Sequence, residues 1–155
     1  MVSPELLRRY SYFGQLSDAQ LKEIAMIADE TTFRKGEKIF EERQPADRLF
    51  ILQDGSVDLF YKSEEEFYPK SSKQFSIGEV NPGDIFGVSA LIEPFSRTTT
   101  AIAAQDGRLI RIDAKDFSNL LAKDDNMAAL IMAEMMKAIY TRLEAVRVQL
   151  AAANP

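Results

Sequence analysis

Of the side chains that carry acid/base or metal chemistry, this chain offers chiefly carboxylates: its 155 residues include no histidine and no cysteine. The commonest general acid/base and the commonest metal ligand are therefore missing, along with any thiol nucleophile, thiolate metal site or disulfide. Clusters of carboxylates such as Glu41-Glu42 or Asp124-Asp125 have simpler uses. The first pair reads as a solvated strand edge and the second as a helix cap. No catalytic residue, metal ligand or cofactor is assigned, and an enzyme is not expected.

Composition narrows what remains. Hydrophobic residues at 46% and charged residues at 28% are those of an ordinary globular chain, and a domain of this length buries roughly 70% of its unfolded surface. A single domain over 1–155 is expected. The formal charge is −5 and the Lys and Arg residues are scattered, so the electrostatic stripe of a nucleic-acid binder is missing. The longest apolar stretch, around Met127 to Ala133, is far short of the ~20 residues of a membrane span, and the N-terminus has no signal-peptide profile. Neither nucleic acid nor membrane is expected as a partner, and the chain reads as soluble and cytoplasmic.

The elements that position any site follow from capping and periodicity. Ser3-Pro4-Glu5 starts a helix, and Ser17 with Gln20 forms a capping box ahead of Leu21, Ile24, Ala25 and Ala28 at helical spacing. Residues 1–30 are thus two short helices separated near Gly14. From Thr31 short β-rich runs cut by Gly, Pro and Asp take over: Thr31 to Arg34, Lys38 to Glu42, Arg48 to Leu52, Ser56 to Tyr61, Phe75 to Val80, Thr98 to Ala104 and Arg108 to Ile112. The charged segment Lys62 to Lys73 is an exposed hairpin loop. The runs over 31–113 predict an antiparallel roll.

Helices return over 114–150. Asp113 caps Ala114 to Ala122, and a long helix then extends to about Leu150. On it Met132, Met136, Ile139, Leu143, Val146 and Leu150 follow a 4-3-4-3-4 spacing, a heptad seam that wants a partner helix. The seam either makes a homodimer or lies along the protein's own roll.

The run Phe33-Arg34-Lys35-Gly36-Glu37-Lys38-Ile39-Phe40-Glu41-Glu42, then Pro45 to Leu52, then Asp54-Gly55-Ser56-Val57, resembles the first half of cyclic-nucleotide-binding domains, the sensor domain of catabolite-activator-like proteins. Gly36 and Gly55 stand at that family's tight turns, where positive φ is needed. Pro82-Gly83-Asp84-Ile85-Phe86-Gly87 is similar to the turn into the family's phosphate-binding cassette, and Arg97-Thr98-Thr99-Thr100 to its end. The similarity covers about residues 6 to 150. It implies a mainly β fold with flanking helices: an antiparallel double-stranded β-helix, jelly-roll-like, with N-terminal helices and a long C-terminal helix.

The resemblance also implies a site. The backbone of Gly87, Val88, Ser89, Ala90 and Leu91, following Phe86, would hold the phosphate of a nucleotide. Arg97 would add a charge-assisted bond and Thr98, with Thr99 beside it, a hydroxyl. The family's cassette begins Phe-Gly-Glu, the Glu binding the ribose, whereas Val88 stands there in this chain. A valine cannot accept that bond, which weakens cAMP or cGMP binding by about 10- to 150-fold.

Two readings follow. In the first the chain is a regulatory sensor that binds a nucleotide-like or other small anion and signals through its C-terminal helix to a separate, unidentified protein, or within a longer chain. In the second the roll has lost its ligand and serves as a protein interaction module.

Overall fold

Side-chain caps set the helix starts. Ser3 accepts the Leu6 amide at the head of α1 (Pro4–Arg8), with Pro4 in the first turn. Ser17 and Gln20 form a reciprocal capping box on α2 (Asp18–Met26). One turn of 3-10 helix, Ser11–Phe13, ends at Gly14 between them. Asp113 accepts the Asp116 amide at the start of α3 (Ala114–Lys123), and Asp124 accepts the Met127 amide at the start of α4 (Asp125–Ala153). Ala28 departs from the helical spacing that placed it on α2. The helix ends at Ile27, whose carbonyl accepts the Asp113 amide, so Ala28 opens the first strand instead.

This arrangement is that of a computed structural model, which describes residues 1–62 and 74–154. The strands are β1 (Ala28–Phe33), β2 (Lys38–Phe40), β3 (Arg48–Asp54), β4 (Val57–Lys62), β5 (Gln74–Val80), β6 (Ile85–Phe86), β7 (Thr100–Ala103) and β8 (Gly107–Asp113). They form two antiparallel four-stranded sheets, ordered β1-β8-β3-β6 and β2-β7-β4-β5. The result is the expected jelly-roll-like β-roll with flanking helices. Of the predicted hairpin loop, Lys62 is the last residue of β4, and the rest lies outside the described residues. At the β3–β4 turn Gly55 has φ 90°, and a Cβ there would meet the Asp106 carbonyl oxygen at 2.6 Å. Only glycine fits.

Most strand ends shift from the sequence reading, β1 starting at Ala28 and β2 ending at Phe40, and two departures bear on the site: β6, which was not expected, and the start of β7. β6 is two residues long, too short to show alternation. Thr98 and Thr99 precede β7 because the chain before them is already paired with another loop. The Arg97 amide donates to the Gln44 carbonyl at 2.9 Å, and the Arg43 amide to the Arg97 carbonyl at 2.8 Å.

The sheets enclose one apolar cluster and support another. Between them lie Phe33, Phe40, Phe50, Leu52, Leu59, Phe86 and Leu109. The outer face of the first sheet, with Leu49, Ile51, Ile110 and Ile112, packs under Leu21 and Ile24 of α2, Phe117 of α3 and Met127 and Ile131 of α4. After Met135, the last buried residue of α4, that helix leaves the core and runs past the mouth of the roll.

Candidate functional site

The site builds from one turn. β6 is tied to the N-terminal helices by Tyr12, whose hydroxyl donates to the Gly83 carbonyl at 3.0 Å and accepts the Ile85 amide at 3.1 Å. Burial of this phenol pushes its pKa up, so it stays neutral as a donor. After Phe86 the chain turns at Gly87, φ 74°, where a Cβ would lie 2.9 Å from both Arg97 Nη1 and Phe50 Cδ2. The 3-10 turn Val88–Leu91 follows, with the Ala90 amide on the Gly87 carbonyl and the Ile92 amide on the Ser89 carbonyl, each at 3.2 Å.

Beside this turn, between the roll and α4, lies a cavity of about 290 Å³. Of the residues singled out from the sequence, Phe86, Gly87, Val88, Ser89, Thr98 and Thr99 line it. Ala90 and Leu91 do not: Ala90 is buried in the helix-side core and Leu91 packs against it, because successive residues of a tight turn point in different directions.

Arg97 is held elsewhere. It is 3% exposed, and its guanidinium donates from Nη1 to the Gly87 carbonyl at 2.8 Å and from Nη2 to the Arg48 carbonyl at 2.6 Å. The same group lies 4.3 Å from the centroid of the Phe40 ring and 5.4 Å from that of Phe50, within cation–π range. No carboxylate is in ion-pair distance of it among the described residues. Burial pulls its pKa down, partly offset by the charge of Asp47, yet arginine keeps its proton throughout the physiological range. The resemblance would aim this side chain at a bound anion. In the structure it donates to two main-chain carbonyls and lines a separate crevice with Phe40, Phe50 and Arg48.

Sequence reasoning missed the residues that complete the cavity. Arg142 of α4 lines it, with Nη2 3.5 Å from the Ile85 carbonyl oxygen, and is its only charged lining residue among those described. Ile139 and Val146, read from spacing as seam positions, also form its wall, with Leu59 and Ile77 from the opposite sheet. Nothing local marks Arg142 as a site residue, since its approach depends on how α4 crosses the roll. The seam itself (Met132, Met136, Ile139, Leu143, Val146 and Leu150) is 41–69% exposed. It does not lie along the roll as a buried stripe, and the α4 residues that do are Met127, Ile131 and Met135.

The adjoining acidic pairs have structural uses. Glu42 accepts the Lys62 amide at 3.1 Å while its own amide donates to Thr100 Oγ1, and Glu41 pairs with Lys38 at 3.3 Å. Asp124 caps α4 and accepts from Gln20 at 3.0 Å. Among the described residues no cluster of acidic side chains could hold a metal, and no helix is long and apolar enough to cross a membrane.

Comparison with known proteins agrees with the fold. A solved putative cyclic nucleotide-binding protein from Geobacter metallireducens is 36% identical, with a TM-score of 0.78 over 92% of this chain and 99% of that one. A cyclic nucleotide-binding-like protein from Brucella abortus is 30% identical, with a TM-score of 0.59 over 77% of this chain and 97% of that one. A cGMP-dependent protein kinase of Caenorhabditis briggsae, egl-4, is 27% identical over 122 residues, which is 78% of this chain and 16% of the kinase. The chain spans 14–37% of the length of the curated relatives it matches. The family description "Cyclic nucleotide-binding domain" matches residues 30–124. That match runs from β1 through α3, more than half of the chain, and the chain belongs to the cyclic nucleotide-binding domain family.

Proposed function

We propose that this chain is a regulatory sensor domain that binds a small nucleotide-like anion in the cavity between the roll and α4, and that occupancy shifts α4. The observation that carries this reading is Arg142. It brings a positive charge from α4 into the same cavity as Gly87, Val88, Ser89, Thr98 and Thr99, so one anion would touch both the roll and the helix. A ligand moves a helix only if it binds one arrangement more tightly than another, and contact with both parts supplies that difference. The volume of about 290 Å³ lies at the lower end of small-molecule pockets.

No carboxylate lines the cavity among the described residues, which agrees with Val88 standing where the family has its ribose-binding Glu. The ligand is accordingly a cyclic nucleotide held without the ribose contact, or another small anion. The exposed seam from Met132 to Leu150 supports a homodimer through α4, and an α4 shared between protomers would pass the signal to a downstream protein. Calorimetric titration with cAMP, cGMP and cyclic dinucleotides tests the site: saturable heat lost in Arg142→Ala is expected. Absence of heat with every one of them would reject these ligands. Size-exclusion chromatography with light scattering tests the dimer, which a strict monomer would defeat.

A second reading, an interaction module without ligand, has its own observation. Phe40, Phe50 and Phe86 cluster at 5.2–6.1 Å between ring centroids and fill space between the sheets with side chains. A ligand-dependent rise of several degrees in melting temperature counts against it.

A further inference from the structure

The roll has a second mouth. One pair of sheet edges, β5 and β6, opens under α4. The other pair, β1 and β2, flanks a crevice of about 550 Å³, within the range of small-molecule pockets. Its floor is apolar and largely aromatic: Phe33, Phe40, Phe50 and Leu109. Its polar lining carries four cations, Lys38, Arg48, Arg97 and Arg111, against two carboxylates, Glu37 and Asp47. Lys38 and Arg111 are matched by Glu41 and Asp29 beside the lining, so the cations in no ion pair among the described residues are Arg48 and Arg97.

Strand register explains how charge came to point between the sheets. Directly opposed residues share a face. Asp29, Arg111 and Phe50 are opposed in turn across β1, β8 and β3, as are Thr31, Leu109 and Leu52. Arg48 stands two residues from Phe50 and so shares its face. The face that carries Phe50 and Leu52 into the interior therefore carries arginines at its other end. Their partners differ. Arg111 is held bidentately by Asp29 at 2.7 and 2.9 Å, and Lys38 by Glu41. Arg97 has only carbonyls, and the half-buried Arg48 side chain has no hydrogen bond or ion pair among the described residues.

We propose that this crevice is a second ligand site, separate from the cavity under α4, and that it takes an organic anion with a flat apolar body, of the aromatic carboxylate or phosphate monoester class. The aromatic floor accepts the body, while the half-buried Arg48 receives the anionic head with charge-assisted bonds, backed by the buried charge of Arg97. The apolar floor makes bare inorganic anions poor ligands, and an Arg48 left without its anion makes neutral aromatics poor ones. The proposal stands whether or not the cavity under α4 is occupied.

The test is amide chemical-shift titration of the full 155-residue chain with benzoate and with phenyl phosphate, beside inorganic phosphate and benzyl alcohol. Expected are saturable shifts at Thr31, Thr32, Ile39 and Gln44 with the two aromatic anions. Affinity should fall at least tenfold in Arg48→Glu and by less in Arg48→Gln, with Arg142→Ala unchanged, each variant melting as the parent does. Shifts confined to Val88–Leu91 and α4, an unchanged affinity in both Arg48 variants, or equal binding of inorganic phosphate or benzyl alcohol would overturn it.

Discussion

Leu49 and Ile51 on one face of β3, and Arg48, Phe50 and Leu52 on the other, belong to one seven-residue strand yet meet different surroundings. The first pair is sealed under helices in a cluster that is apolar throughout. The second set looks into a roll where aromatic rings surround a buried guanidinium and further arginines line one mouth. A dry helix-side core can be optimised for packing alone. The roll interior must keep cations satisfied and leave two openings. The helix side thus holds the fold, and the roll side holds the residues proposed above to meet a ligand.

Substitutions can break or sharpen that division. Phe117→Ala removes a fully buried ring from the helix-side core and should cost about 3–5 kcal/mol, read as a fall in denaturation midpoint with an unchanged slope. Arg97→Ala should cost less, about 1–3 kcal/mol, chiefly because it leaves the Gly87 and Arg48 carbonyls without their donor. A cost of 5 kcal/mol or more would make Arg97 the keystone of the fold and erase the contrast.

Asp29→Asn weakens the pair with Arg111 at the roll mouth. The Arg111 hydrogen bond holds the Asp29 carboxyl below its usual range. A depressed folded pKa contributes stability above the unfolded value of about 3.9 and loses it as pH falls through the folded value. Both groups are partly exposed, so the effect at pH 7 should be under about 1 kcal/mol. The gap between Asn variant and parent should close below about pH 4 in melts taken across pH. Arg142→Ala, at the end of the scale, should stay within about ±0.5 kcal/mol in stability while abolishing ligand heat at the cavity under α4. A large loss of stability there would turn the proposed ligand contact into a structural strut.

Much of this contrast was legible in the chain, because it rests on local rules. The capping box Ser17–Gln20 and the caps Ser3, Asp113 and Asp124 are each written in residues three apart. The interior stripe Arg48, Phe50, Leu52 is a period of two. What escaped was non-local. β6 is too short to show a period, Thr98 and Thr99 were drawn out of β7 by pairing of their neighbours with the Arg43–Gln44 loop, and Arg142 reaches its cavity across more than 50 residues from Val88.

By itself, the order of residues determined the family, the roll with its helices, the lack of histidine and cysteine chemistry, and a valine, Val88, where the resemblance expects a ribose-binding carboxylate. These depend on residue type, on turns that only glycine can make, and on spacing along one chain. Tertiary structure alone decided where Arg97 spends its hydrogen bonds, that Arg142 joins the α4 cavity, and that a cationic crevice opens at the opposite edge. Each depends on the relative placement of sheets and helices, in which a side chain swings to the nearest acceptor that packing leaves within reach.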